Sequence, residues 1–133
     1  METPGAPCPF CETIACGPFV SAAEHAVAFA DGFPVTPGHT LVVPRRHVAD
    51  LFSLDAGEIA AVWRLVGDVR TLLLDGIDGT RPDGFNVGVN VGAAAGQTVE
   101  HAHVHVMPRF AGDVDDPRGG VRKVFPNRAR YWE

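Results

Sequence analysis

The chain has 133 residues, 16 acidic against 11 basic side chains and a 46% hydrophobic share, which fits one ordinary soluble domain. The acidic excess argues against a basic nucleic-acid-binding surface. No apolar run nears the roughly 20 residues needed to span a bilayer, so no membrane partner is expected. Residues Met1 to Pro7 hold neither a basic region nor an apolar leader, so a cytoplasmic, reducing location is expected.

In such a compartment Cys8-Pro9-Phe10-Cys11 reads as a metal pair or a redox pair rather than a disulfide. Cys16 reads as a small buried hydrophobe. Residues 19–21 and 25–30 form the two arms of a predicted hairpin. Asp31-Gly32-Phe33-Pro34 then turns the chain, and Pro37-Gly38 turns it again. His39 to Val43 is rich in β-formers and ends at Pro44, which cannot continue a central ladder. A long helix follows. Ser53 or Asp55 caps it, and Asp55 with Glu58 has capping-box spacing. Ile59, Val62, Trp63, Val66, Val69 and Leu73 share its apolar face, and Gly76 stops it.

Gly84 to Val91 alternates apolar and polar residues as a half-buried strand does. The small-residue loop 92–98 leads to a second alternating segment, His101 to Met107, closed by Pro108. Residues 111–133 read as an irregular, arginine-rich arm following a domain over 1–110. Antiparallel strands with segregated helix give an α+β class.

His101, His103 and His105 alternate with Ala102, Val104 and Val106, so a strand puts three imidazoles on one face. Three satisfied core histidines are a poor account of such a row, because buried polar groups need partners. One metal ion shared by all three is excluded by reach. The row spans roughly 13 Å along a strand, against metal–nitrogen bonds of about 2 Å. Divided labour remains, with a neutral imidazole attacking an electrophile while a neighbour handles the proton.

The segment His101-Ala102-His103-Val104-His105-Val106-Met107 resembles the signature of the histidine-triad superfamily. Asn86 to Asn90, Gly96 to Val99 and Pro37 to Pro44 resemble its other motifs, in its order. Pro108-Arg109 and Ala111-Gly112-Asp113 are most similar to the fragile-histidine-triad-like branch, which hydrolyses dinucleoside polyphosphates. The resemblance implies a five-stranded antiparallel sheet with one long and one short helix, continued across a homodimer. It implies that His103 attacks an α-phosphorus to form a nucleotidyl-histidine, assisted by His105. It places Gly96, Gln97, Thr98 and Asn90 on phosphate, Asp31 on the ribose, Phe10 and Phe29 near the base, and His39 beside the triad. Read without it, Asp31 is more often only a turn residue, and His39 is equally a structural or capping histidine.

The same resemblance completes Cys8 and Cys11 with His47 and His101 as a structural zinc site. The expected substrate is an adenine nucleotide, with dinucleoside polyphosphate hydrolysis ahead of phosphoramidate hydrolysis, a nucleotide-sensing module, and transfer to an acceptor other than water. In the arm, Arg109, Arg118, Arg122, Lys123, Arg128 and Arg130 face Asp113, Asp115 and Asp116 in sequence. They read either as internally ion-paired or as a grip on polyphosphate.

Overall fold

The computed structural model describes residues 8–133, so the reading made of residues 1–7 lies outside the described residues. The elements are α1 (Pro9–Cys16), β1 (Ser21–Ala22), β2 (Ala26–Ala30), β3 (Thr40–Pro44), α2 (Ala56–Leu74), β4 (Gly84–Gly88) and β5 (Val104–Arg109), with short 3-10 turns between and after them. The five strands make one antiparallel sheet in the order β1-β2-β3-β5-β4. Among the described residues no helix is long and apolar enough to cross a membrane.

Alternation along the strands gives the sheet two unlike faces. Ala26, Ala28, Val42, Val104 and Val106 face α2 and pack against Val62, Leu65, Val66 and Val69. Val27, Phe29, Leu41 and Val43 form a second cluster on the other face, covered by Phe10 and Ile14 of α1. The reciprocal capping box at Asp55 and Glu58 forms as the spacing predicts. Arg46 also holds Glu58 through its guanidinium, which lowers the carboxyl to about 2.

Several boundaries differ from expectation, each for a physical reason. Trp63, assigned to the apolar face of α2, is 45% exposed, and Leu65 takes a core place instead. Cys16, expected to be buried, is exposed. Strand β4 ends at Gly88 rather than Val91, because its last pairing partner on β5 is His105. Strand β5 starts at Val104 rather than His101, because Ala102 N–H donates to Val48 O instead of to a ladder. Pro108 lies inside β5 instead of closing it. This is tolerated because β3 pairs only with residues 104–106, so the proline faces no donor requirement on that side. The arm is irregular, with 3-10 turns at Gly120–Val124 and Pro126–Arg128.

Candidate active site and metal cluster

Three segments converge on the face opposite α2. The tight turn before β3 delivers His39. Gly38 there has φ +85, and a Cβ would lie 2.5 Å from Ile77 Cδ1, so only glycine fits. The loop between β4 and β5 carries Gly96 at φ +96 and Gln97, and the start of β5 carries the histidines. His101 and His103 precede the strand and His105 lies within it. The row is thus a bent entry to the sheet rather than a uniform strand.

Hydrogen bonds fix where each imidazole proton sits. His103 is 7% exposed, and its Nδ1 lies 2.8 Å from the carbonyl oxygen of His101. A carbonyl only accepts, so His103 Nδ1 carries the proton and Nε2 is left with a bare lone pair. By the same argument His101 Nε2 donates to Pro44 O at 2.8 Å, so its Nδ1 carries no proton and faces the cysteines and His47. Val35 N–H donates to His39 Nδ1 at 3.2 Å, which puts the His39 proton on Nε2. That proton lies between His105 Nδ1 at 3.0 Å and Asp31 Oδ2 at 3.3 Å. His105 Nδ1 therefore accepts, and its own proton is on Nε2. Burial lowers His39, with Asp31 opposing the shift. Burial, then the neighbouring His103 and His39, push His105 down to about 4, so it is neutral at pH 7.

Asp31, His39 and His105 also have the spacing of a cation site. A point equidistant from their three donor atoms lies about 2.0 Å from each, the length of a zinc–ligand bond. The proton assignment decides against that reading. A cation on His39 Nε2 would strip both ring nitrogens of hydrogen, whereas metal-bound imidazoles keep the other N–H as a donor. The group is a hydrogen-bonded relay.

The other cluster passes the same test. The donor atoms of Cys8, Cys11, His47 and His101 all lie within 4.8 Å of one another. Cys8 Sγ and Cys11 Sγ are 3.5 and 3.6 Å from His101 Nδ1, Cys11 Sγ is 3.3 Å from His47 Nδ1, and the two Nδ1 atoms are 3.1 Å apart. A tetrahedral zinc with its usual bond lengths needs neighbouring donors about 3.3–3.8 Å apart. His101 donates its remote Nε2–H to a carbonyl, the arrangement of a metal-bound histidine. Cys8 caps α1, and Cys11 N–H donates to its sulfur at 3.2 Å. These residues fit a four-coordinate metal.

The remaining predicted contacts divide. Phe10 lies edge-on to His103 with ring centroids 5.0 Å apart, and Phe29 backs Phe10 at 5.5 Å from within the core cluster. Asp31 is both a turn residue and a site residue. Its Oδ1 accepts from Phe33 N–H while Oδ2 faces His39. Asn90, His39 and His105 border a cavity of about 900 Å³. Gln97, expected on phosphate, is 4% exposed, and its side chain is turned inward. Its amide nitrogen donates to Ala49 O and Val99 O, and its oxygen accepts from Gly92 N–H. Gln97 thus holds the loop, while Gly96 and Thr98 are exposed. Arg109 at the end of β5 pairs with Asp113, and within the arm Arg118 pairs with Asp116 and Arg130 with Glu133, which is the internally paired reading. Arg118 also stacks on Trp132 and Arg122 on Tyr131.

Comparison with known proteins supplies a family. The family model described as the HIT domain matches residues 17–112. An uncharacterized HIT-like protein of Mycoplasma genitalium is 44% identical over 65% of the chain, and the match spans 60% of that relative's length. A protein of Mycobacterium tuberculosis named AP-4-A phosphorylase is 40% identical over 62% of the chain, which spans 42% of it. Among solved structures, a zinc-bound histidine triad family protein from Mycobacterium smegmatis superposes with a TM-score of 0.72 at 34% identity, covering 80% of this chain and 77% of that one.

Proposed function

The chain belongs to the HIT domain family, and on that premise we propose that it hydrolyses dinucleoside polyphosphates, diadenosine compounds among them, at the α-phosphate through a nucleotidyl-histidine. The observation that carries this reading is the proton on His103 Nδ1, held by the His101 carbonyl, which leaves Nε2 as a nucleophile needing no deprotonation. His103 Nε2 forms a bond to the α-phosphorus, and the bridging P–O bond breaks with its electron pair leaving on the departing phosphate. Water then attacks the same phosphorus and releases the nucleoside monophosphate, with Nε2 as the leaving group. Both steps develop charge on the non-bridging oxygens. His105 Nε2–H, Thr98 and the Gly96 backbone act as donors toward it. Asp31 positions the ribose through its vicinal hydroxyls, Phe10 borders the base, and Asn90 orients the phosphate side.

A zinc ion held by Cys8, Cys11, His47 and His101 would be four-coordinate and would supply rigidity rather than a reacting position. The zinc-bound Mycobacterium smegmatis structure supports that identity, and metal analysis should find about one zinc per chain. We also infer a homodimer joined through β4, an edge strand that among the described residues has β5 as its one neighbour in the sheet.

The Mycobacterium tuberculosis relative's name supports a dinucleoside polyphosphate over a phosphoramidate. Rapid quench with α-labelled diadenosine tetraphosphate tests the scheme. Wild type should trap acid-labile, base-stable label on the protein. His103→Ala should trap none and should lose turnover by about four orders of magnitude or more. Equal labelling of both proteins refutes it. Reactions with and without inorganic phosphate separate water from phosphate as the acceptor.

A further inference from the structure

The cavity of about 900 Å³ beside His105 is larger than a lone phosphate or amine leaving group requires, since pockets of roughly 300–1,000 Å³ hold whole drug-sized ligands. It begins one imidazole beyond the nucleophile, the rings of His103 and His105 being 5.1 Å apart. Phe10, the residue read as bordering the first base, packs directly on His103 and is not among the residues lining this cavity. With His105 and Asn90 in its lining, the cavity adjoins the phosphate side of the proposed site, away from Phe10.

Its far wall belongs to this chain rather than to the family core. The HIT match ends at residue 112, whereas Val121, Lys123 and Val124 of the arm line the cavity. Two anchors hold that wall in place. Arg109 bridges Asp113 and Asn86, and Gly120 packs so close to Asn86 that a Cβ would lie 3.3 Å from its Nδ2. Lys123 donates to the Asp116 carbonyl, which ties the 3-10 turn back to the arm.

The lining chemistry is mixed in a particular way. Val121 and Val124 are 65% and 76% exposed, and Val35, also exposed, lines the same cavity. Apolar side chains left uncovered around one cavity suit a flat aromatic ring, and the Lys123 ammonium at the same wall suits phosphate oxygens. We propose that the arm residues Val121, Lys123 and Val124 form a binding site for the second nucleoside of a dinucleoside polyphosphate, and so select substrates with a base at both ends. This rests on the hydrolase reading for the direction of the substrate. As a binding claim it is tested without turnover.

The test is titration calorimetry on the full chain carrying His103→Ala, with diadenosine tetraphosphate and with adenosine monophosphate as the two probes. The dinucleotide should bind more tightly by at least about tenfold, the discrimination that small changes in apolar contact provide. Adding Val121→Ala and Val124→Ala should cut that ratio by about tenfold. Lys123→Ala, made separately, should weaken the dinucleotide more than the monophosphate and serves if the double variant fails to fold. An unchanged ratio in the variants overturns the proposal. So does an altered sedimentation coefficient with the ratio retained, which would mean that these valines meet a second copy of the chain. Failure of the hydrolase reading registers elsewhere, as absence of label on His103 in the otherwise unaltered protein.

Discussion

Replacing Cys11 by serine should slow formation of the nucleotidyl-histidine by 10- to 100-fold while leaving KM nearly unchanged. The reasoning runs through His101, which takes part in both centres. Its Nδ1 lies 3.1–3.6 Å from the other cluster donors, its Nε2 holds Pro44 O, and its carbonyl holds the His103 proton at 2.8 Å. Phe10 adds a second route, since it sits between the two cysteines in sequence and packs on the His103 ring. A neutral hydrogen bond of this kind contributes about 1 kcal/mol net, so losing it costs about fivefold in the tautomer with a bare Nε2. Displacement of the ring adds to this and sets the upper end of the range, at about 100-fold for a shift approaching 1 Å. The assay is single-turnover labelling of His103, paired with nitrogen-15 NMR of its ring, which reads the tautomer directly. A folded, metal-free Cys11→Ser protein that labels at the wild-type rate and keeps the Nδ1–H tautomer would refute the coupling.

Two further outcomes follow from the same geometry. His105 titrates near 4 in the fold against 6.5 when unfolded, and His39 is lowered too, so the unfolded chain binds more protons between those values. Stability is then full above pH 6.5 and declines as pH falls toward 4, by on the order of 2–3 kcal/mol for His105. Urea midpoints across that range measure it, and His105→Gln should flatten the slope; an unchanged slope contradicts the assignment. Gln97→Ala removes three bonds inside the loop and should cost about 1–3 kcal/mol of stability along with turnover. A variant with native thermal stability and only a raised KM would return Gln97 to direct phosphate contact.

Much of this architecture is legible in the residues because local and global signals agree. Asp55 and Glu58 announce the start of α2, and the alternation of Val104, His105 and Val106 announces the core of β5. The metal ligands are spread over 93 positions, so the spacing marks Cys8 and Cys11 while only the family resemblance supplies His47 and His101. What is not legible is set by partners distant in the chain. Nothing in Ala102 reveals that its N–H turns to Val48, which moves the start of β5. The helical period of α2 admits Trp63 and Leu65 alike, and only the position of the sheet selects Leu65. Gln97 has the right neighbours for a phosphate ligand, and only the carbonyls of Ala49 and Val99 show why it faces inward. The resemblance implies a short helix, but the residues do not place it at α1, because Cys8 to Cys11 reads first as a cysteine pair, although Cys8 and Pro9 also make a serviceable helix start.

The division of the sheet into a face under α2 and a face bearing the histidines has a bearing on how such a protein can change. Every side chain given a role toward phosphate, ribose, base or metal lies outside residues 56–74, and α2 meets the strands through aliphatic contacts and the stacking of Arg70 on Phe85. The exposed half of that helix is thus a blank page for engineering, where labels, tethers or surface charges can be written without altering which molecules the opposite side accepts.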